Sequence, residues 1–447
     1  MDACGGRLVN DLGCRFVLGV AGCRLGVGAY WAFVPFASQY LYTDQVPEGL
    51  GLTASQVAAV NALLVSPWVV KALYGIVSDS VPLCGRRRTP YLLIATSVGM
   101  VSYGILMLPF QQPATLCAGL LAVHFSAALG DVMLDAILAE KTQAHPHLAT
   151  DLQSFILGFS AVVKIITSTF KGVLVRVAGM SSLFSICIGC LVVAFPSCGL
   201  LNERQMPVNE AQCMLGAACT NFTHSGAPIF RLAQCISAFG VMLATGTFLI
   251  DNVPWGPPLA ALVACAVVPW TCWHFERVVS PTLAKASIYT FLSAAMQPHL
   301  IVLFKWYKET PENCNPVKHI PGLHPLPCFG TDFVGYLDLF AEVAFLLALL
   351  LYNLFFARWH YRSIFAALQL ALVLVNLIDL FWVSRLNLAM GIDDHLFAFG
   401  AELLQATKSA PHIISGPDNT RVTIETCLVI FNHAPVQNLT HSRLVRQ

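Results

Sequence analysis

The chain has 447 residues, of which 56% are hydrophobic and only 11% charged, and its mean hydropathy is +0.68. Soluble domains are about a quarter charged, so this composition describes an integral membrane protein. With 25 Lys and Arg against 24 Asp and Glu the formal net charge is +1, which excludes a polyanion-binding surface: the lipid bilayer is the expected partner, and no nucleic acid.

The apolar residues come in long runs and not in short alternating segments, which excludes an outer-membrane barrel and predicts an all-α, polytopic transmembrane helical bundle. Runs of roughly twenty apolar residues lie near Phe16 to Tyr40, Thr53 to Val77, Tyr91 to Phe110, Ala114 to Leu138, Leu152 to Val175 and Ser182 to Leu201. A second block reads Leu232 to Ile250, Leu259 to Trp273, Leu283 to Phe304, Phe333 to Phe356 and Ile364 to Val383, followed by a short candidate at Leu396 to Leu404. Eleven or twelve spans are therefore expected. The chain divides into an N-terminal six-helix bundle over 1–201, a central loop over 202–230, a C-terminal bundle over 231–405 and a polar irregular tail over 406–447. Met1 to Arg15 is too short for a cleavable transit sequence, so the first helix is expected to be retained. Thr53 and Gln56 have the spacing of a capping box and fix where the second helix starts.

A cytoplasmic N-terminus leaves Arg86, Arg87, Arg88, Lys141, Arg204, Arg231, Arg277, Arg358 and Arg362 on cytoplasmic loops, as the positive-inside rule requires. The plasma membrane is preferred to an organelle. Of the two glycosylation sequons, Asn221 falls in the cytoplasm on this topology and Asn438 on the far side. The 16 cysteines are scattered through apolar segments, Cys117, Cys198, Cys265 and Cys272 among them, where sulfur acts as a small hydrophobe. Cys187 and Cys190 form a C-x-x-C with no second pair and no His, so no metal site and no cofactor are expected. Cys314 and Cys328, on one outer loop, are the cysteines placed to form a disulfide.

The most informative stretch runs from Ser66-Pro67-Trp68 through Lys71, Tyr74-Gly75, Ser78-Asp79 and Gly85-Arg86-Arg87-Arg88 to Pro90-Tyr91. Gly75 lets helices approach closely, Asp79 stands at the membrane exit, and a Gly85 turn presents guanidinium groups to carboxylates on a neighbouring helix end. Such a loop can latch one gate. An ordinary positive-inside loop is the plainer reading.

These residues resemble the signature of the folate-biopterin transporter family, a branch of the major facilitator superfamily. The resemblance continues at Gly130 to Glu140, at Pro281 to Lys285, and at Asn376 to Leu380 with Arg385-Leu386-Asn387 and Gly391-Ile392-Asp393. It implies a major-facilitator-like bundle, a small anionic aromatic substrate such as a folate or pterin, and a part in transport for Asp131 and Asp135. The family continues with further spans after Glu402, whereas Ala406 to Gln447 has no window long enough to cross a bilayer, so the second half is read as incomplete and truncated.

Charges inside spans are the site candidates, because each is costly unless it meets a partner or a cavity. Asp131 and Asp135 share a face of the fourth helix, and Lys71 lies at a depth similar to Asp131, about 9 to 11 Å from the helix ends at 1.5 Å per residue, so an ion pair is feasible. The alternative makes both acids partners of Arg86, Arg87 or Arg88. Lys164 heads a polar stripe with Ser160, Thr167, Ser168 and Lys171, and either meets an anionic ligand or pairs with Asp338 or Glu342. Asp379, on one face with Asn376, either binds a pterin edge, carries a coupling proton, or packs helices. His124 reads as a satisfied core histidine.

Three functions remain: a secondary carrier for folates or pterins, coupled to protons and working by alternating access; a truncated, non-transporting relative; and a membrane-embedded enzyme. No catalytic constellation and no P-loop supports the last, and none supplies ATP drive.

Overall fold

The computed structural model describes residues 8–45, 49–108, 112–203, 205, 227–250, 270, 273, 300–309, 314, 326–351 and 361–405. Helix α1 (Cys14–Thr43) is followed by a segmented second span, α2 (Ala54–Leu64), α3 (Ser66–Val69) and α4 (Lys71–Ser80). Then come α5 (Thr89–Leu106), α6 (Pro113–Ala144), α7 (Ala149–Ala178) and α8 (Ser181–Ser197), the last ending in a 3-10 turn over Cys198–Leu201. The described part of the second block holds α9 (Ala227–Ile250), α10 (Leu300–Tyr307), α11 (Thr331–Leu351), α12 (Tyr361–Val383), α13 (Leu386–Ala389) and α14 (Asp394–Gln405).

The architecture is all-α. Among the described residues, five helices are long and apolar enough to cross a membrane: Cys14–Thr43, Thr89–Leu106, Pro113–Ala144, Gly158–Ala178 and Ser181–Leu201. Leu259 to Trp273 and Leu283 to Phe304 lie largely outside the described residues, as do the tail and both sequons.

One expectation is corrected. The run from Thr53 to Val77 is not a continuous helix but three pieces, broken at Val65, where Pro67 has no amide hydrogen to give and sits in the first turn of a new helix, and again at Val70. The chain bridges the breaks with tight turns, Trp68 N–H to Val65 O at 2.9 Å and Leu73 N–H to Val70 O at 2.9 Å. The Thr53–Gln56 capping box is formed in both directions.

Small residues set the closest packing. A Cβ on Gly22 of α1 would lie 2.0 Å from Ser197 Oγ, and one on Gly26 would lie 2.9 Å from Leu191 Cδ2, so α1 and α8 touch along a glycine stripe. Where α7 crosses α11, a Cβ on Gly335 would lie 3.0 Å from the Gly172 backbone. That contact brings the polar faces of these two helices together.

Candidate functional site

Asp131 on α6 is the centre of the buried charge. Its Oδ1 accepts from Arg24 Nη1 at 2.9 Å and its Oδ2 from Lys71 Nζ at 2.7 Å, while Arg24 Nη2 reaches Asp135 one turn further along. Lys71 is 1% exposed, Asp131 7% and Arg24 8%, so three of the four side chains are removed from solvent. Three helices, α1, α4 and α6, converge on the group. Lys71 is the first residue of α4, directly after the second break at Val70, and its ammonium also lies 5.4 Å from the centroid of the Trp68 ring.

The structure thus joins Lys71, Asp131 and Asp135, and adds Arg24, which the sequence reading passed over. An Arg in the middle of an apolar run is itself a signal of function, and Arg24 carried that signal. Of the loop arginines, the alternative partners of Asp131 and Asp135, Arg88 pairs elsewhere: its Nη2 bridges Asp79 Oδ1 and Glu140 Oε1, each at 2.8 Å. The loop turns at Cys84 (φ 51°) and Gly85 (φ 71°), two consecutive left-handed residues flanked by reciprocal hydrogen bonds between Leu83 and Arg86, which is why Gly85 stands there. Arg86 closes this turn, and the amides of Arg87, Arg88 and Thr89 donate to the Glu203 carboxylate at 2.8, 2.9 and 2.8 Å. Glu203 therefore caps the N-terminus of α5 from more than a hundred residues away, and no local pattern could have announced it. A Cβ on Gly75 would lie 3.7 Å from Val132 Cγ1 of α6, leaving room for little more than a methyl group.

A second set of charges links α7 to α11. Lys164 Nζ meets Glu342 Oε1 at 3.1 Å, Lys171 meets Asp338, and Arg176 meets Asp332, in an antiparallel ladder. At the same end of the bundle as Arg176, Lys308 pairs with Asp44, and Lys305 Nζ donates to Leu52 O at 2.9 Å. Cys314 and Cys328 are joined as a disulfide, with Cα atoms 5.4 Å apart. Nearby, Arg385 grips Asp394 with two 2.8 Å bonds, supported by Asn387 and Trp382. Burial alone would raise the Asp394 pKa; the hydrogen bonds from Arg385, Asn387 and Trp382 outweigh it and leave the carboxyl below its usual range. Asp379 is buried on α12, one turn from Asn376.

A partly open cavity of about 30 Å³ lies between α1, α5, α6 and α8, lined in part by Cys23, Tyr30, Thr96 and Ser126. That is room for about one water and not for a bicyclic ring. Among the described residues there is no cluster of His, Cys, Asp or Glu fit to hold a metal ion.

A helical bundle with ionic groups paired in its interior and small residues at its crossings is the build of a polytopic membrane protein. Solved structures agree on the fold: an auto-inhibited POT family peptide transporter superposes with a TM-score of 0.62 over 97% of this chain and 88% of its own, at 12% identity. A POT family transporter in complex with 5-aminolevulinic acid gives a TM-score of 0.61 at 12% identity, over 95% of this chain and 90% of its own. The BT1 family profile matches residues 36–413, and the chain belongs to that family. Probable folate-biopterin transporter 5 of Arabidopsis thaliana is 24% identical over 383 residues, 85% of this chain and 63% of its own length. Folate-biopterin transporter of Synechocystis sp. is 26% identical over 358 residues, 79% of this chain and 58% of its own length. The match thus spans about three fifths of these relatives. They are transporters and not enzymes, and the enzyme reading is set aside.

Proposed function

We propose that the chain acts as a secondary active carrier for a small anionic aromatic ligand of the folate or pterin class, coupled to protons. The observation that carries this is the Arg24, Lys71, Asp131 and Asp135 group, with its membership of a transporter family behind it. Two cations held by two carboxylates inside a bundle can exchange a carboxylate for a ligand anion, and the released acid can take the proton that accompanies it. The blocks 1–201 and 231–405 would rock about this centre, and the ladder between α7 and α11 would open as they do. On the positive-inside argument the Arg88 end faces the cytoplasm, where Asp79, Gly85 and the arginines act as a latch, in the plasma membrane. Lys164 then serves the gate through Glu342, and Asp379 is a further candidate for the coupling proton.

Uptake of labelled folate and biopterin into cells expressing the chain, beside a longer relative and with or without a protonophore, tests the proposal. Saturable uptake that collapses with the protonophore is expected. Equal uptake by cells with and without the chain would refute carriage, and uptake indifferent to the pH gradient would refute the coupling.

A further inference from the structure

Trp68, Tyr30 and His124 form a buried chain of hydrogen bonds whose protons can be assigned. The Trp68 indole is a donor only, and its Nε1 donates to the Tyr30 hydroxyl at 3.0 Å. The proton of Tyr30 then has one acceptor among the described residues, Nδ1 of His124, at 2.6 Å. Were Nδ1 protonated, the Tyr30 oxygen would accept twice and its own proton would be stranded on a residue only 4% exposed. The arrangement that satisfies every group makes Nδ1 the acceptor and puts the imidazole proton on Nε2.

Nε2 has no hydrogen-bond partner among the described residues, although His124 is 5% exposed. The ring is held in place by Tyr30, edge-on with centroids 5.6 Å apart, and Tyr30 itself lies 5.5 Å from Trp68. A donor is thus oriented and left unused. Its location matters: His124 precedes Asp131 by seven residues, two helical turns, and shares that face of α6 with Asp131 and Asp135. His124 therefore lies two turns from the ionic group on the same face, with only the small side chains of Ala127 and Ala128 between them.

We propose that Nε2–H of His124 donates a hydrogen bond to the carried ligand, with Tyr30 and Trp68 as positioning residues that fix the tautomer. The matching group is an acceptor without a proton to give, such as a ring carbonyl oxygen or ring nitrogen of a planar heterocycle. This rests on the folate or pterin reading above and adds the atom that recognises the acceptor edge of the ring.

The test uses the full chain, labelled with 15N-histidine in lipid nanodiscs, with biopterin as the probe and the His124 signal assigned by its loss in His124→Asn. A neutral imidazole protonated at Nε2 is expected, with a mixed tautomer in Tyr30→Phe and Trp68→Phe, and an Nε2 resonance that moves when biopterin binds. His124→Asn places an amide oxygen where Nδ1 accepts from Tyr30 but removes the Nε2 donor, and His124→Gln carries an amide out to the Nε2 position. Biopterin affinity should fall about tenfold in the first and recover in the second. A proton on Nδ1, or a His124 resonance that stays still while biopterin binds, overturns the assignment and leaves the carrier reading standing. Absence of biopterin and folate binding to the unaltered chain overturns both.

Discussion

Two sets of ionic contacts differ in where they sit and what they join. The group around Asp131 draws on α1, α4 and α6 and is nearly sealed, with Lys71 at 1% exposure. The ladder of Lys164, Lys171 and Arg176 joins α7 to α11, and it is more open: the Asp338 side chain is 44% exposed and that of Arg176 64%. A buried charge that loses its partner has no water to turn to, whereas a half-exposed one is rehydrated at once. The first set is therefore expected to govern folding and the ligand site together, and the second to govern motion between helices with little effect on stability.

The sharpest attack on that contrast is Asp131→Asn. It leaves Arg24 and Lys71 facing a neutral amide in a closed site, and should cost about 3 to 5 kcal/mol of stability. Thermal unfolding of the detergent-solubilised protein followed by size exclusion reads this, and Lys71→Met in the same chain should recover part of the loss. An Asp131→Asn protein as stable as the original would show that the group is not closed. Asp135→Asn should cost less, since its side chain is 20% exposed.

Glu203→Gln comes next. It keeps the shape but removes the charge that gathers three amides at the start of α5, and a loss of about 1 kcal/mol is expected. The ladder should behave differently: a double-mutant cycle on Lys164 and Glu342 should give a coupling of about 0.2 to 1 kcal/mol in stability, while the rate of uptake changes in each single variant and returns when the charges are exchanged. A large stability coupling with unchanged uptake would reverse the assignment of the two sets.

The smallest effect concerns Asp394. Because its folded pKa lies below its unfolded one, it stabilises the fold above the ordinary carboxylate pKa, and that contribution disappears as pH falls through the folded value. Melting curves from pH 6 down to 3 should therefore show a steeper loss for the original chain than for Asp394→Asn.

Much of the architecture was legible because it follows from composition and period. Apolar runs of spanning length specify helices in any lipid surroundings, since the backbone there can bond only to itself, and α1, α5, α6, α7 and α8 sit where those runs lie. The capping box at Thr53 was legible for a local reason, both partners lying within one turn. Pro67 was in plain view too, yet a hydropathy window averages over it and over the break it makes at Val65.

The sequence by itself determined that the chain lies in a bilayer as helices and that Lys71, Asp131 and Asp135 are charges in need of partners, because the cost of an isolated ion in lipid is a property of the residue. The pair of Lys71 with Asp131 could be read from their similar depth, but the remaining partners were decided only by the tertiary structure. Arg24 is 107 residues from Asp131, Glu203 is more than a hundred from the helix it caps, and Trp68 fixes a proton on His124 through a tyrosine on a third helix. Such contacts depend on how helices cross, and crossing is set by glycines such as Gly22 and Gly172 whose neighbours come from distant parts of the chain.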